Sequence, residues 1–291
     1  MTRMQNSVTP WLLLLPAIVL LATFTHVPAV MTLIDSLFTT PRGARPPRFI
    51  GAENYMSMLS DPVFLAALKN NAIYALGTVP LSIALSLLMA VIVNSSLRGT
   101  TLLRMSFFLP TVLPMIAVAN IWLFFYTPGY GLFDQVLGLF GFQAHNWLGN
   151  QDTVLGSLMA LAVWKEAGFF MIFYLAALQQ LSPTLREAAD LEGAGRWYFF
   201  RRVTFPLLMP TTLFVMINAV INSFRLIDHV IVMTRGGPDN ASTLLLYYVY
   251  NTAFRFWNTS YAAALTMVVL VILASIAFLQ FGILDRKVHY K

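Results

Sequence analysis

The stretch Arg186–Pro210, REAADLEGAGRWYFFRRVTFPLLMP, carries Arg186, Glu187, Asp190, Glu192, Arg196, Arg201 and Arg202 within a few helical turns. On both sides of it the chain reads as long apolar runs. The stretch is too charged to cross a bilayer and too regular in its apolar spacing for an irregular loop. Ser182-Pro183 opens it, a residue type that caps helix N-termini followed by a proline where the missing N–H costs nothing. Leu185, Ala188, Ala189 and Glu192 follow at helical spacing, and Gly193 can take the left-handed conformation that ends a helix. A second, aromatic-rich segment runs through Trp197, Tyr198, Phe199 and Phe200 until Pro206 starts the next apolar run. The expected structure is a short helix, a tight turn and a second helix lying along one membrane face.

Composition supports a membrane setting. Of 291 residues, 58% are hydrophobic and only 10% charged, with mean hydropathy +0.71, against roughly a quarter charged in soluble domains. Several runs reach the ~20 apolar residues that cross ~30 Å of hydrocarbon as a helix. They are apolar on every face, which excludes the alternating pattern of a strand barrel. The expected fold class is therefore all-α, a polytopic bundle of about six transmembrane helices. The spans fall near Trp11–Phe38, Leu68–Asn94, Leu102–Tyr126, Val154–Leu181, Thr204–Met233 and Tyr261–Leu284. The first is too long for a signal-peptide core and lacks a small-x-small cleavage site, so it reads as a retained helix.

The net charge of +6 does not point to nucleic acid, because the basic residues sit at the ends of apolar runs rather than along a stripe. They set orientation instead. With both termini cytoplasmic, Arg3, Arg98, Arg104, Arg186, Arg196, Arg201, Arg202, Arg286, Lys287 and Lys291 lie inside. Arg42, Arg45, Arg48, Lys69, Arg235 and Arg255 lie outside, and the opening stretch is then cytoplasmic. The outer segments TTPRGARPPRFIGAENYMSMLSDP and TPGYGLFDQVLGLFGFQAHNWLGNQD are rich in turn residues with apolar side chains between them, which reads as ordered structure. Pro80, Pro110 and Pro114 are expected to kink spans two and three or to mark their ends. Trp11, Tyr126, Trp147 and Tyr261 fit an interfacial aromatic belt.

The absence of cysteine excludes disulfides, thiolate metal sites and a cysteine nucleophile. There is no phosphate-cradling G-x-x-x-x-G-K-[ST], no H-E-x-x-H, no G-x-S-x-G and no carboxylate cluster suited to a metal. His26, His145, His229 and His289 are scattered, so no catalytic or metal site is expected. Polar groups inside spans mark a pathway or a buried pair. Asn218, Asn222, Arg225 and His229 share one face of a continuous helix in span five, and span four adds Trp164, Lys165 and Glu166. Two readings stay open for these residues. In one they line a translocation path, with asparagines and an arginine suited to sugar hydroxyls or a phosphate. In the other Glu166 neutralises Arg225 or Lys165 and the asparagines knit helices together. A secondary transporter would need an ion-coupling carboxylate network and internal inverted repeats, and neither is evident.

The spacing Glu187-Ala188-Ala189, three residues, Gly193, nine residues, Val203-Thr204-Phe205-Pro206 resembles the EAA motif of the membrane subunits of ATP-binding-cassette importers. Val203 and Phe205 depart mildly from that motif's Ile-x-Leu-Pro ending. FIGAENY, WKEAGFFMIFYLAALQQLSP, MTRGGPDNASTLLLYYVYNTAF and the ending FGILDRKVHYK resemble the carbohydrate-uptake branch, which includes permeases for maltodextrins, other sugars and glycerol phosphates. The resemblance implies a type I importer permease fold, with a core of about five helices from each of two related subunits and an extra N-terminal helix. It implies 1–67 as that helix with its outer loop, 68–284 as the permease core with a coupling loop at 182–203, and 285–291 as a cytoplasmic tail. Glu187, Ala188, Ala189, Gly193, Ala194 and Pro206 would then dock on an ATPase. The implied partners are a second homologous permease, two cytoplasmic ATPases that hold ATP and magnesium, and an extracytoplasmic substrate-binding protein, all in or at a bacterial inner membrane. The chain itself would bind membrane lipid but no cofactor.

Overall fold

In the computed structural model, residues 9–284 are described apart from 42, 44 and 96–98. Arg3, Arg42, Arg98, Arg286, Lys287, Lys291 and the expected tail 285–291 lie outside the described residues. Five helices are long and apolar enough to span a bilayer, and a bent pair makes a sixth. In chain order the helices are α1 (Pro10–Asp35) and α2 (Pro62–Val93), then the pair α3 (Thr100–Val112) and α4 (Met115–Phe125). They continue as α5 (Leu132–Gly138), α6 (Gln151–Gln179), α7 (Pro183–Leu191), α8 (Met209–Arg225), α9 (Asp228–Met233) and α10 (Thr259–Leu284).

The third span is not one straight helix. Its two halves meet at 104°. Leu113 is extended, with ψ 138°, because a residue before proline is excluded from the helical region, and Pro114 then begins a new helix. Pro80 and Pro110 sit inside continuous helices instead. Span five is broken too: Leu226 is extended (ψ 109°) between α8 and α9.

The chain divides into two compact units, 1–61 with 249–271, and 62–248 with 272–291. In the first unit α1 buries none of its apolar side chains. The segment that follows is ordered by polar contacts. Asn54 Nδ2 donates to the carbonyls of Ser36 and Phe38 at 2.7 and 3.1 Å, Ser36 Oγ and Tyr55 Oη are 2.7 Å apart, and Tyr261 Oη donates to Asp61 at 2.6 Å.

In the second unit α2 packs chiefly on α6, and α8 packs against both. The burial pattern of α2 is that of a membrane helix. Asn70, Tyr74, Thr78, Ser82 and Ser86 recur every four residues and are buried, whereas Leu76, Leu81 and Leu88 are exposed, because hydrocarbon outside makes the apolar face the outward one. The α6–α3 crossing is tight. A Cβ on Gly168 would lie 2.1 Å from the carbonyl oxygen of Phe107, so only glycine fits without moving backbone. Outside the spans, Asp134 organises the segment 127–150: it accepts hydrogen bonds from the N–H groups of Gly129 (2.8 Å) and His145 (3.1 Å) and from Trp147 Nε1 (2.8 Å). These donors, Gly129 foremost, hold its carboxyl below the usual carboxylate range.

Candidate functional site

The charged stretch forms the expected helix and turn. α7 starts at Pro183, with Ser182 extended at its N-cap position. The Ser182 hydroxyl does not cap the helix; it meets Thr184 Oγ1 at 2.8 Å. At the other end Gly193 has φ +71°. Gly193 N–H donates to Asp190 O at 3.1 Å and Ala194 N–H to Ala189 O at 2.8 Å, the paired bonds of a Schellman closure. The backbone of the turn is thus satisfied internally. A second helical segment runs from Arg196 to Phe199 and continues as a π-helical turn to Thr204. Arg186 joins the two segments. It pairs with Asp190 through Nε at 3.1 Å and a terminal nitrogen at 2.5 Å, and its guanidinium lies 5.1 Å from the centre of the Phe199 ring.

The rest of the loop faces outward. Glu187, Ala188 and Pro206 are exposed, Ala189 and Ala194 half-buried. Glu187 makes no ion pair or hydrogen bond through its side chain among the described residues. Leu191 is 91% exposed and Trp197 73%. A helix of nine residues with no buried side chain does not contribute to this chain's core.

The intramembrane polar residues behave differently. Lys165 Nζ donates to Pro110 O at 2.8 Å and Leu113 O at 2.6 Å, so the ammonium caps carbonyls left free where α3 ends. Glu166, next to it on α6, accepts from Asn222 Nδ2 at 3.0 Å. Glu166 pairs with neither Lys165 nor Arg225. Asn218 Nδ2 bonds its own helix at Phe214 O, 2.8 Å. Arg225 is exposed at the end of α8, without an ion pair among the described residues. Trp164, partly exposed, packs against Trp122 with ring centres 5.5 Å apart.

The single four-residue face expected for span five is not present. Two non-helical residues, Leu226 and Ile227, interrupt the helix between Arg225 and Asp228, so regular helical spacing does not carry from Asn222 to His229, and His229 is fully buried. Its Nε2 lies 3.0 Å from Tyr74 Oη and its ring stacks on Tyr74. Asn218, Asn222 and Arg225 remain together on α8. Sequence reasoning missed Tyr74, Thr78 and Ser82, which with Glu166, Asn222 and Ser223 line a small polar crevice between α2, α6 and α8. The signal was there as polar residues recurring every fourth position along an apolar run.

A bundle of apolar helices with a polar seam, and a charged loop that contributes nothing to its own core, defines a helical membrane protein. The chain belongs to the family described as "Binding-protein-dependent transport system inner membrane component", whose model matches residues 82–290. It is 34% identical over 281 residues to the lactose transport system permease protein LacF of Rhizobium radiobacter, covering 94% of this chain and 93% of that one. It is 32% identical over 287 residues to the sn-glycerol-3-phosphate transport system permease protein UgpA of Agrobacterium fabrum (98% and 97%). Against a probable ABC transporter permease protein, YurN of Bacillus subtilis, identity is 31% over 280 residues (95% and 96%). Its fold is that of a chain from a bacterial ABC transporter that imports the acidic polysaccharide alginate, with TM-score 0.85 and 21% identity over 97% of this chain and 96% of that one. The all-helical importer permease architecture expected from the sequence is therefore the one present, in a family of inner-membrane components.

Proposed function

We propose that this chain forms half of the translocation pathway of an ATP-driven importer for a sugar or related polyol, and that loop 182–203 is where a separate ATPase drives it. The observation that carries the reading is the loop itself. Its backbone is closed by its own hydrogen bonds, while Glu187, Ala188, Leu191, Trp197 and Tyr198 are left outward as a surface for another protein. A second homologous permease completes the pathway, two cytoplasmic ATPases hold ATP and magnesium, and a binding protein delivers substrate from outside. A related fold is described in complex with an alginate-bound periplasmic protein, which supports the last assignment. Both termini are then cytoplasmic, and this chain contributes no catalytic residue.

The packing gives the mechanical route. Loop 182–203 joins the end of α6 to the start of α8. α6 carries Lys165, bonded to the α3–α4 break, and Glu166, bonded to Asn222 on α8. A displacement of the loop moves α6 and α8 as one piece and pulls on the break, where Leu113 leaves the helical conformation. A closed turn transmits that shift without absorbing it. Asn218 and Arg225, not consumed by contacts to neighbouring helices, face the cargo.

Reconstitution with the neighbouring permease, ATPase and binding protein tests this, with ATP hydrolysis and uptake measured across a panel of sugars and glycerol 3-phosphate. One ligand is expected to stimulate hydrolysis. Gly193→Val, which places a β-branched residue at φ +71°, and Glu187→Arg are expected to insert normally and to reduce uptake to background. Normal uptake by both variants defeats the assignment of the loop. Arg225 favours one competing substrate, since an unpaired planar fork matches a phosphate; stimulation by glycerol 3-phosphate alone selects it.

A further inference from the structure

The first unit contains a polar cavity of about 400 Å³ lined by Thr39, Thr40, Arg45, Arg48, Asn54 and Asn258, with Pro46 and Ile50 completing the wall. Its floor is fixed. Thr40 Oγ1 donates to Asn258 Oδ1 at 2.7 Å and accepts from Ser260 N–H at 3.0 Å. Thr39 and Arg48 exchange bonds at 2.9 Å, Thr39 N–H to Arg48 O and Arg48 N–H to Thr39 Oγ1. The two guanidiniums are exposed and form no ion pair or side-chain hydrogen bond among the described residues. Glu53, the acid nearest in sequence, is exposed and forms no ion pair among the described residues, and Asp35 lines a separate cavity of about 260 Å³.

Two spans end at this place. α1 finishes at Asp35, α10 begins at Thr259, and the Thr40–Asn258 bond ties the two ends together. The cavity therefore sits at the level where hydrocarbon gives way to head groups. Trp257 of the same unit is 73% exposed, a residue type that gathers in that layer, and Phe49, Phe254 and Phe256 expose apolar rings in the same unit. Unpaired arginines among interfacial aromatics match one ligand chemistry, a phosphodiester oxygen pair held by planar donors.

We propose that Arg45 and Arg48 bind the phosphate of an anionic phospholipid head group, with Thr39, Thr40, Asn54 and Asn258 forming the floor of the site. The site holds the outer end of α1, a helix that buries nothing within this chain, against the bilayer surface. It depends only on the chain spanning a membrane, not on the importer reading.

The test uses the full chain in nanodiscs of phosphatidylcholine doped with spin-labelled phosphatidylglycerol or spin-labelled phosphatidylcholine. The protein is expected to retain the anionic probe over the zwitterionic one by roughly thirtyfold, the size given by two arginines at a membrane surface. Arg45→Gln/Arg48→Gln is expected to bring the ratio to about one, and Arg45→Lys/Arg48→Lys, which keeps charge but loses the fork, to an intermediate value. The charge-matched control Lys69→Gln/Arg235→Gln is expected to keep the full preference. An unchanged ratio in the Gln variant overturns the proposal, and an equal loss in the control reduces it to net charge. Displacement of the probe by millimolar inorganic phosphate reassigns the site to a soluble anion.

Discussion

The loop at 182–206 and the polar seam of α6 and α8 hold similar residues under opposite conditions. In the loop, side chains bond only their near neighbours, Arg186 with Asp190 and Ser182 with Thr184, and the backbone turn closes without side chains. Glu187 and Tyr198 are left exposed, as is Trp197, whose ring stacks on its loop neighbour Phe200. In the seam nearly every polar group is used within the chain: Lys165 on two carbonyls, Glu166 on Asn222, His229 on Tyr74. Water satisfies whatever a surface loop leaves open, whereas within hydrocarbon each unsatisfied group costs several kcal/mol. Free polar groups in the loop therefore mark a surface for a partner at little cost. In the seam, the residues not committed to another helix, Asn218 and Arg225, are the informative ones.

The contrast breaks most readily at the tight crossing. Gly168→Leu places a side chain where the Phe107 carbonyl oxygen already sits. The two helices must separate, at a cost of about 1–3 kcal/mol or more. We expect a clear fall in melting temperature in detergent and loss of transport, read by fluorescence-detected melting and uptake. Melting like that of the parent protein would mean α6 and α3 are free to slide, and the seam is not a fixed unit.

Lys165→Met is expected to have the next largest effect. Methionine keeps most of the stem but strips the donor from two carbonyls at the break, an expected loss of about 1–3 kcal/mol. If Lys165 serves the break and not the cargo, uptake falls through lower stability, while the ligand concentration at half-maximal rate stays unchanged. A changed ligand dependence with unchanged melting would move Lys165 into the substrate path.

The legibility of these regions in the sequence follows the same division. Ser182-Pro183, Gly193 and the interval between them dictate a local structure, because a helix start and a left-handed stop depend on residues within one turn. The apolar runs likewise locate the spans to within a few residues, except at the starts of α2 and α8. The breaks were harder. Pro114 splits a span while Pro80 and Pro110 do not, and at the split the freed carbonyls of Pro110 and Leu113 accept from Lys165, a donor 55 and 52 residues away in sequence. His229 was placed with Asn222 on an unbroken helix, and one extended residue at Leu226 sends it into the core. The α2 polar repeat was readable from Tyr74, Thr78, Ser82 and Ser86. Its weak polarity within an apolar run concealed it.

The smallest effect belongs to the loop. Arg186→Ala removes an exposed i,i+4 pair with Asp190 and the contact over Phe199. Exposed pairs contribute about 0–1 kcal/mol and such cation–ring contacts about 0.5–1 kcal/mol. The melting temperature should move by little, because α7 buries nothing in the core that melting reports. Coupling is the sharper readout. Arg186 is the side-chain link between α7 and the Arg196–Phe199 segment, so its loss lets the two move independently while the Gly193 closure stays intact. Uptake per ATP hydrolysed should then fall more than either melting or basal hydrolysis. An equal fall in all three would show that the loop is part of the folded core, and the distinction between a surface left free and a seam mostly committed would not hold.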